Sequence, residues 1–177
     1  MYKWCWVIEM LIKTKRLVIR DFDMNMAKSV HMNSLDDDNR RFVPDEVFET
    51  EEDARETLEF LISRYEEMKS PLVYAVTLNE GVQIGHVQAS KLKDGWEIGY
   101  HIGKAYTGNG YAKEAVKAFL PVIMDMLSVN EVQGICLADN IASIKVLLGC
   151  GFEKTFEGIG RYGGKDQEIF KAVYAKR

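Results

Sequence analysis

Few cysteines are present, and their spacing excludes two classes of protein. The 177 residues contain three, Cys5, Cys136 and Cys150, an odd number without the paired spacing of a zinc site. We therefore expect neither a disulfide framework nor a bound metal. Thiols without partners suit a reducing compartment, so the expected location is the cytoplasm.

Long apolar runs and an excess of basic residues are also lacking. The apolar start of the chain is interrupted by Glu9, and no small-residue cleavage site follows it. No later run approaches the roughly 20 residues that cross a bilayer. The formal net charge is −4, whereas a nucleic-acid-binding domain normally carries a basic excess. We expect neither a membrane nor a nucleic acid as partner.

The sequence also has no internal repeat and no low-complexity segment. Its length allows one well-buried core and is short for two domains, and 47% of its residues are hydrophobic. We expect a single domain over residues 10–177. Residues 1–9 are expected to be an N-terminal extension.

The stretch from Trp96 to Leu127 has the clearest pattern in the chain. From residue 96 to 103, apolar side chains alternate with polar or small ones, as in a strand with one polar face. From Ala112 onward, apolar residues recur at helical spacing. The intervening glycines therefore lie at a helix N-terminus, where backbone N–H groups can bind a phosphate.

Two nucleotide-binding motifs do not fit these glycines. A Walker A loop would need Lys followed by Ser or Thr after Gly108, where the chain has Asn109 and Gly110. A dinucleotide fingerprint that begins at Gly108 would need glycine or alanine at position 113, which is Lys113. The segment TGNGYA instead resembles the pyrophosphate loop of the GNAT acetyltransferases, Q/R-x-x-G-x-G/A, with Thr107 in place of Gln or Arg.

A second motif agrees with the first. The segment from Asn140 to Phe152 resembles the GNAT pattern N-x-x-S-x-x-x-L-x-x-x-G-F position by position. With TKRLVIRDF near the start, the resemblance runs from about Leu11 to Lys171. It is strongest to the RimJ/RimL-type branch, which acetylates protein N-termini and also contains small-amine acetyltransferases.

The resemblance implies a fold and a reaction. The fold class is α/β (α+β): a GNAT fold whose central mixed, mostly antiparallel twisted sheet has six to seven strands flanked by about four helices. The reaction is direct transfer of an acetyl group from acetyl-CoA, the co-substrate, to a primary amine such as a protein N-terminus. Alternatives are a small-molecule amine acceptor, a polyamine or an antibiotic, and an inactive CoA-binding module. A homodimer is compatible with the family.

Local patterns predict the other elements. Thr50 and the acids after it predict a helix that runs to about Lys69. Residues 72–78 and 83–91 predict a hairpin. Asp36, Asp37 and Asp38 are expected in a polar loop that is either simply solvated or attracts a cationic acceptor, and residues 160–166 in a mobile loop between two strands.

The same resemblance assigns residues to the CoA site. The backbone N–H of Ile102 would hold the thioester oxygen. The phosphate loop would comprise Thr107, Gly108, Asn109, Gly110, Tyr111 and Ala112. Asn140 and Ser143 would contact the pantetheine arm, although Asn140 is also suited to capping a helix. Cys136 would come near the CoA thiol or simply pack in the core, and Tyr162 could touch the acceptor.

The acceptor amine needs a base, because an alkyl ammonium titrates near ~10.4. Glu97, on the strand that the resemblance places beside the acetyl group, is the first candidate, and an ordinary salt-bridge role is its alternative. His101, two positions along the same face, is the second candidate, with packing as its alternative. The general acid is unassigned, because Leu147 stands where other GNAT branches have tyrosine. Tyr106, Tyr111 and Ser143 are the candidates.

Overall fold

A computed structural model describes residues 9–176, whose eight strands form one mixed sheet. The spatial order is β1-β2-β3-β4-β5-β6-β8-β7, and every neighbouring pair is antiparallel except β5 and β6. The strands are β1 (Leu11–Lys13), β2 (Leu17–Arg20), β3 (Leu72–Leu78), β4 (Gln83–Leu92), β5 (Gly95–Ile102), β6 (Glu131–Leu137), β7 (Glu153–Tyr162) and β8 (Lys165–Ala175).

The described residues also form five α-helices and three short 3-10 turns. The helices are α1 (Ala27–Ser34), α2 (Asp37–Phe42), α3 (Glu51–Tyr65), α4 (Tyr111–Met126) and α5 (Ile141–Gly149). The 3-10 turns are Met24–Met26, Pro44–Glu46 and Lys104–Tyr106. In this part of the chain no helix is long and apolar enough to cross a membrane.

Side-chain caps fix the starts of two helices. At α3 the Thr50 hydroxyl accepts from the Asp53 N–H, and the Asp53 carboxylate accepts from the Thr50 N–H, a reciprocal capping box. At α5 the Asn140 side chain accepts from the Ser143 N–H at 3.0 Å. Each cap satisfies N–H groups that the helix itself leaves without partners. The helix starts predicted at these residues are confirmed.

Helices cover the sheet on both faces. The main core lies between one face and α4, whose apolar stripe is fully buried. A smaller cluster lies on the other face, where α1 and α3 pack on Val73 and Ala75 of β3. Residues directly opposite in an antiparallel pair share a face. His86 and Gln88 of β4, which pair with Ala75 and Val73, therefore face α1 and α3.

The sheet opens between β5 and β6. These strands are parallel and are joined at one register pair, Glu97 with Gln133, among the residues that the structure describes. Their C-terminal halves, residues 98–102 and 135–137, line a cavity of about 810 Å³. The point where the strands separate therefore forms the floor of this cavity.

The predicted fold class is confirmed, with local corrections. Residues 11–13 add an eighth strand, and α2 adds a fifth helix, because Asp36 caps it and Asp37 and Asp38 occupy its first turn. The predicted polar loop is therefore wrong for Asp37 and Asp38, which lie in α2, while Asp36 precedes the helix as its cap. The segment 160–166 was also wrongly predicted as a loop: β7 and β8 extend through it to a tight turn at Gly163 and Gly164, whose φ values are positive.

Two further boundaries differ or lie outside the described region. Helix α3 ends at Tyr65 rather than near Lys69, because Met68 has a left-handed φ of 51°, which a helix does not accommodate. The predicted extension at residues 1–9 falls, apart from Glu9, outside the described residues.

Candidate active site

The glycine turn before α4 has the geometry of an anion-binding helix start. Gly108 and Gly110 have φ values of +80° and +78°, which side-chain-bearing residues rarely adopt. Gly110 is the N-cap of α4, and no side chain of residues 9–176 accepts from the first N–H groups of the helix. A Cβ added at Gly108 would meet nothing within 4 Å, so the turn is open on its outer side. These N–H groups are available to a phosphate.

Arg16, which precedes this turn by more than 90 residues in the sequence, holds it in place. Its guanidinium donates to the Asn109 carbonyl at 3.0 Å and to Glu114 in α4 at 2.7 Å, and it lies over the Tyr111 ring at 4.6 Å. Glu114 also accepts from the Thr14 hydroxyl at 2.6 Å. The segment between β1 and β2 therefore anchors both the turn and the first turn of α4.

Polar groups connect β5 to the start of α5. The Tyr100 hydroxyl lies 2.8 Å from both the carbonyl and the hydroxyl oxygen of Ser143. Burial raises the pKa of Tyr100, so this phenol keeps its proton. Cys136 is buried beside them, and burial raises the pKa of its thiol to about 11. The Ser143 hydroxyl is thus already engaged with Tyr100.

On the opposite face of β5 lies a group of ionisable side chains. His101 pairs with His86 of β4, and their rings are 5.6 Å apart between centroids. Gly99, between Glu97 and His101 on the same face, has no side chain, and the Gln88 amide occupies that space. The missing side chain lets a neighbouring element come close to β5 at this point.

That element is the 3-10 turn that ends at Glu46. The Glu46 carboxylate accepts from the Gln88 amide at 3.2 Å and lies 3.3 Å from His86 Nε2. Its side chain is 29% exposed, toward the cavity. Burial alone would raise the pKa of Glu46, but His86 and Gln88 more than offset it, so the pKa is lowered and the carboxylate stays ionised.

Glu97 has the opposite shift. Burial, and second the nearby Glu46 carboxylate, raise its pKa to about 7, while Lys171 acts in the other direction. No hydrogen bond to the Glu97 side chain is present among the described residues that could fix it in an ordinary structural role. A carboxylate that titrates near neutral pH is suited to accept and release a proton.

His101 is held neutral. Burial, and second His86, lower its pKa to about 4. Its Nε2 atom is buried without a hydrogen-bond partner in the described region and lies 3.9 Å from the nearest Asp36 oxygen. A neutral imidazole of such low basicity is a weak proton acceptor. The opposite pKa shifts of the two residues therefore favour Glu97 over His101 as the base.

The cavity brings the predicted residues together. Glu97, His101 and Ile102 line it, as do Asn140 and Ser143 and all of the predicted phosphate loop except Asn109. The Asn109 side chain instead donates to the carbonyls of Tyr106 and Thr107. Asn109 thus shapes the turn from within.

The remaining sequence candidates are also near the cavity. Tyr106, Tyr111, Cys136, Leu147 and Tyr162 line it. Burial, and second the Glu97 carboxylate, raise the pKa of Tyr162 to about 12. The Gly103 N–H donates to Ile84 on the β4 side, so the alternation of a strand directs the Ile102 N–H to the β6 side, toward the opening.

The sequence did not indicate that several residues belong to this site. Glu46 lies in a segment without readable pattern, and it meets His86 and Gln88 forty or more positions later. Arg16 belongs to a matched family segment, but only the fold brings it to the glycine turn. Within residues 9–176, no three His, Cys, Asp or Glu side chains form a group that could hold a metal ion.

Comparison with known proteins gives one family. The model of the acetyltransferase (GNAT) domain matches residues 16–153. The uncharacterised N-acetyltransferase YnaD of Bacillus subtilis is 28% identical over 147 residues, which cover 82% of this chain and 84% of YnaD.

Solved structures agree on the fold. A GNAT-family acetyltransferase from Bacillus anthracis superimposes with a TM-score of 0.80 at 25% identity, covering 94% of this chain and 98% of that one. A RimL ribosomal-protein α-N-acetyltransferase in complex with coenzyme A gives a TM-score of 0.78 at 16% identity, with 94% and 98% covered. At that identity the second likeness concerns the fold alone.

Proposed function

The chain belongs to the GNAT acetyltransferase family, and from this premise we propose that it transfers the acetyl group of acetyl-CoA directly to a primary amine. A protein N-terminus is the first candidate acceptor, and the fold shared with RimL supports it. The observation that carries the proposal is the position of Glu97. This carboxylate, with a pKa raised to about 7, lies where β5 and β6 separate, in the same cavity as the glycine turn of α4.

The residues present fit a CoA molecule. In this proposal the first N–H groups of α4, held in place by Arg16, bind the pyrophosphate, and the open outer side of Gly108 admits it. Asn140 orders α5 as its cap, so its contribution to the pantetheine contact is the positioning of Ser143 and its neighbours. The Ile102 N–H faces the thioester oxygen.

Proton transfers complete the reaction. Glu97 takes one proton from the bound ammonium, directly or through a water molecule. The neutral nitrogen then forms the C–N bond as the C–S bond breaks. The second proton of the nitrogen passes to the departing thiolate, which leaves as the free thiol of CoA. Glu97 returns its proton to solvent. A tyrosine of the cavity is suited to relay the second proton, because burial keeps the phenol protonated.

A small-molecule amine is the second candidate acceptor. It is supported by the enclosed carboxylates Glu46 and Glu97, which suit a compact cationic group. The third reading, an inactive CoA-binding module, is supported by Leu147, where other GNAT branches have tyrosine, and by Thr107, where the family loop has Gln or Arg. A cytoplasmic location and a homodimer remain parts of the proposal.

One assay separates the three readings. Thiol release from acetyl-CoA is measured with a panel of peptides that have free N-termini, polyamines and aminoglycosides, beside calorimetric titration with CoA. Release with peptides supports N-terminal acetylation, and release with polyamines or aminoglycosides supports the small-molecule reading. CoA binding without release for any acceptor would leave the binding module, and failure to bind CoA would overturn all three.

A further inference from the structure

The cavity has two chemically different sides, separated by β5. Ile98 and Ile102 point into the core beneath α4, on the side of the glycine turn. Glu97 and His101 occupy the opposite face, where Glu46 and Asp36 approach them. On the proposed function, CoA takes the first side, so the second side is left for the acceptor.

The charge of the acceptor side is negative. Farther out, Asp38 pairs with Lys104, and Asp139 pairs with Arg41. At the floor, the neutral His101 adds no charge beside the Asp36 carboxylate, and Lys104, which pairs with Asp38, is the cation that interacts with Asp36. Glu46 is bonded to a neutral amide and adjoins His86. Lys171 acts on Glu97 from β8 but does not line the cavity.

Glu46 is fixed by its surroundings and faces the cavity. The short turn Pro44–Glu46 presents it, and Gln88 and His86 hold one oxygen each. These contacts hold a carboxylate that stays charged beside Glu97, which changes its charge near neutral pH. Two acids with separated affinities for protons commonly divide binding and proton transfer between them.

We propose that Glu46 is the residue that determines acceptor specificity: it binds the positively charged reacting amine of the acceptor and rejects acceptors that carry a carboxylate near that amine. The selected class is therefore aliphatic amines and peptide N-termini followed by neutral or basic residues. An acidic group beside the amine would face the Glu46 and Asp36 carboxylates at short range, and like charges in a partly dehydrated cavity repel strongly. This inference rests on the proposed function.

Matched acceptor pairs test the charge rule. Butylamine is compared with 4-aminobutanoate, and a peptide with N-terminal Ser-Lys with one that begins Ser-Glu. In the wild-type protein kcat/KM is expected to be at least tenfold higher for the first member of each pair. Glu46→Gln keeps the shape and loses the charge, so KM for the first members should rise at least tenfold and the discrimination within each pair should shrink.

A pH profile separates this role from a structural one. The charged groups that act on the Glu97 pKa are Glu46 from the 3-10 turn and Lys171 from β8. Glu97 in turn raises the pKa values of Tyr162 in β7 and Cys136 in β6. Of the two charges that act on Glu97, that of Glu46 is the one that raises its pKa. The acid limb of kcat/KM should therefore move to lower pH in Glu46→Gln, whose matched size keeps Glu97 as buried as it is in the wild-type protein.

Asp45→Asn is the matched control, because Asp45 is the exposed neighbour in the same turn and does not line the cavity. It should leave KM, discrimination and the acid limb unchanged. Equal or better use of the acidic acceptors by the wild-type protein would overturn the inference. So would unchanged kinetics in a folded Glu46→Gln. No transfer to any of the four acceptors, with or without CoA binding, would instead overturn the proposed function.

Discussion

At the scale of single residues, the roles of Glu97 and His101 can be separated by their opposite pKa shifts. Glu97→Gln keeps the shape of the side chain and removes the basic oxygen, so kcat should fall by roughly 10² or more, with CoA affinity nearly constant. His101→Phe should cost much less, because the imidazole is neutral and weakly basic at neutral pH. Steady-state rates from pH 5 to 9 check both.

The shape of the pH profile provides the control. In the wild-type protein, kcat/KM should rise to a plateau above a pKa of about 7, since Glu97 must be deprotonated to act. Glu97→Gln should lose this limb and recover partly at high pH, where more of the amine is neutral, whereas His101→Phe should keep it. Near-normal turnover in Glu97→Gln together with a large loss in His101→Phe would reverse the two assignments.

The sequence predicted some of these residues and could not predict others. Alternation along one strand, a local property, placed Glu97 and His101 on one polar face, and the family resemblance placed that strand beside the acetyl group. The preference for Glu97 follows from burial and from Glu46, which are tertiary properties. Glu46 itself has no local signature, because its contacts with His86 and Gln88 depend on where a short turn is placed above the sheet.

At the scale of elements, the glycine turn before α4 yields a prediction with a matched control. Gly110→Val places a branched side chain at the helix N-cap, where a Cβ has only Arg16 Nη2 nearby, at 3.7 Å. The substitution should cost roughly 1–2 kcal/mol through its positive φ and leave the fold intact. Since it obstructs the approach to the first N–H groups, the Kd for CoA should rise at least tenfold in calorimetry.

Gly81→Val is the control, because Gly81 has a comparable φ of +90°, nothing within 4 Å of an added Cβ, and a place in the β3–β4 turn. It should show the same loss of stability with unchanged CoA affinity. If Gly110→Val binds CoA as well as Gly81→Val does, the glycine turn is not the phosphate site.

Elements with local caps or periodicity were predicted well. The capping box at Thr50, the hairpin of β3 and β4, and α5 with Asn140 at its start all follow from short-range patterns. Helix α2 was missed because six residues carry too few turns for a periodic pattern. The β7–β8 turn was misjudged because its glycines suggested a long loop rather than a two-residue turn.

At the scale of the whole molecule, the two buried ionisable groups on β5 give stability opposite dependences on pH. His101 has a folded pKa of about 4 against an ordinary 6.5, so the unfolded chain binds a proton first and stability falls as pH drops from 6.5 to 4. Glu97 has a folded pKa of about 7 against 4.5, so stability falls as pH rises from 4.5 to 7. In the wild-type protein these effects largely cancel.

Single substitutions should uncover each effect. Glu97→Gln should lose up to about 3 kcal/mol of stability as pH falls from 6.5 to 4, and His101→Phe should lose up to about 3 kcal/mol as pH rises from 4.5 to 7. Urea unfolding midpoints of both variants across this range measure the difference. Parallel curves for the two variants would mean that neither group is perturbed by burial as described.

The overall topology was predictable only through the family resemblance. Local patterns predict strands and helices but not that β6 pairs with β5 in parallel, since that pairing joins segments more than thirty residues apart. The N-terminal strand β1 adds three residues that pair with β2, and three residues is the lower end of the usual strand lengths. Such pairings are decided by the packing of the whole sheet.

The lone register pair between β5 and β6 has a chemical consequence. It divides the sheet into two arms, β1–β5 with α4 and β6–β8 with α5, each closed by its own antiparallel ladder. Beyond that pair, the backbone N–H and C=O groups of β5 and β6 that face the cleft have no strand partner among the described residues. A bound molecule with amide groups can therefore take the place of the missing ladder, next to the Glu97 carboxylate.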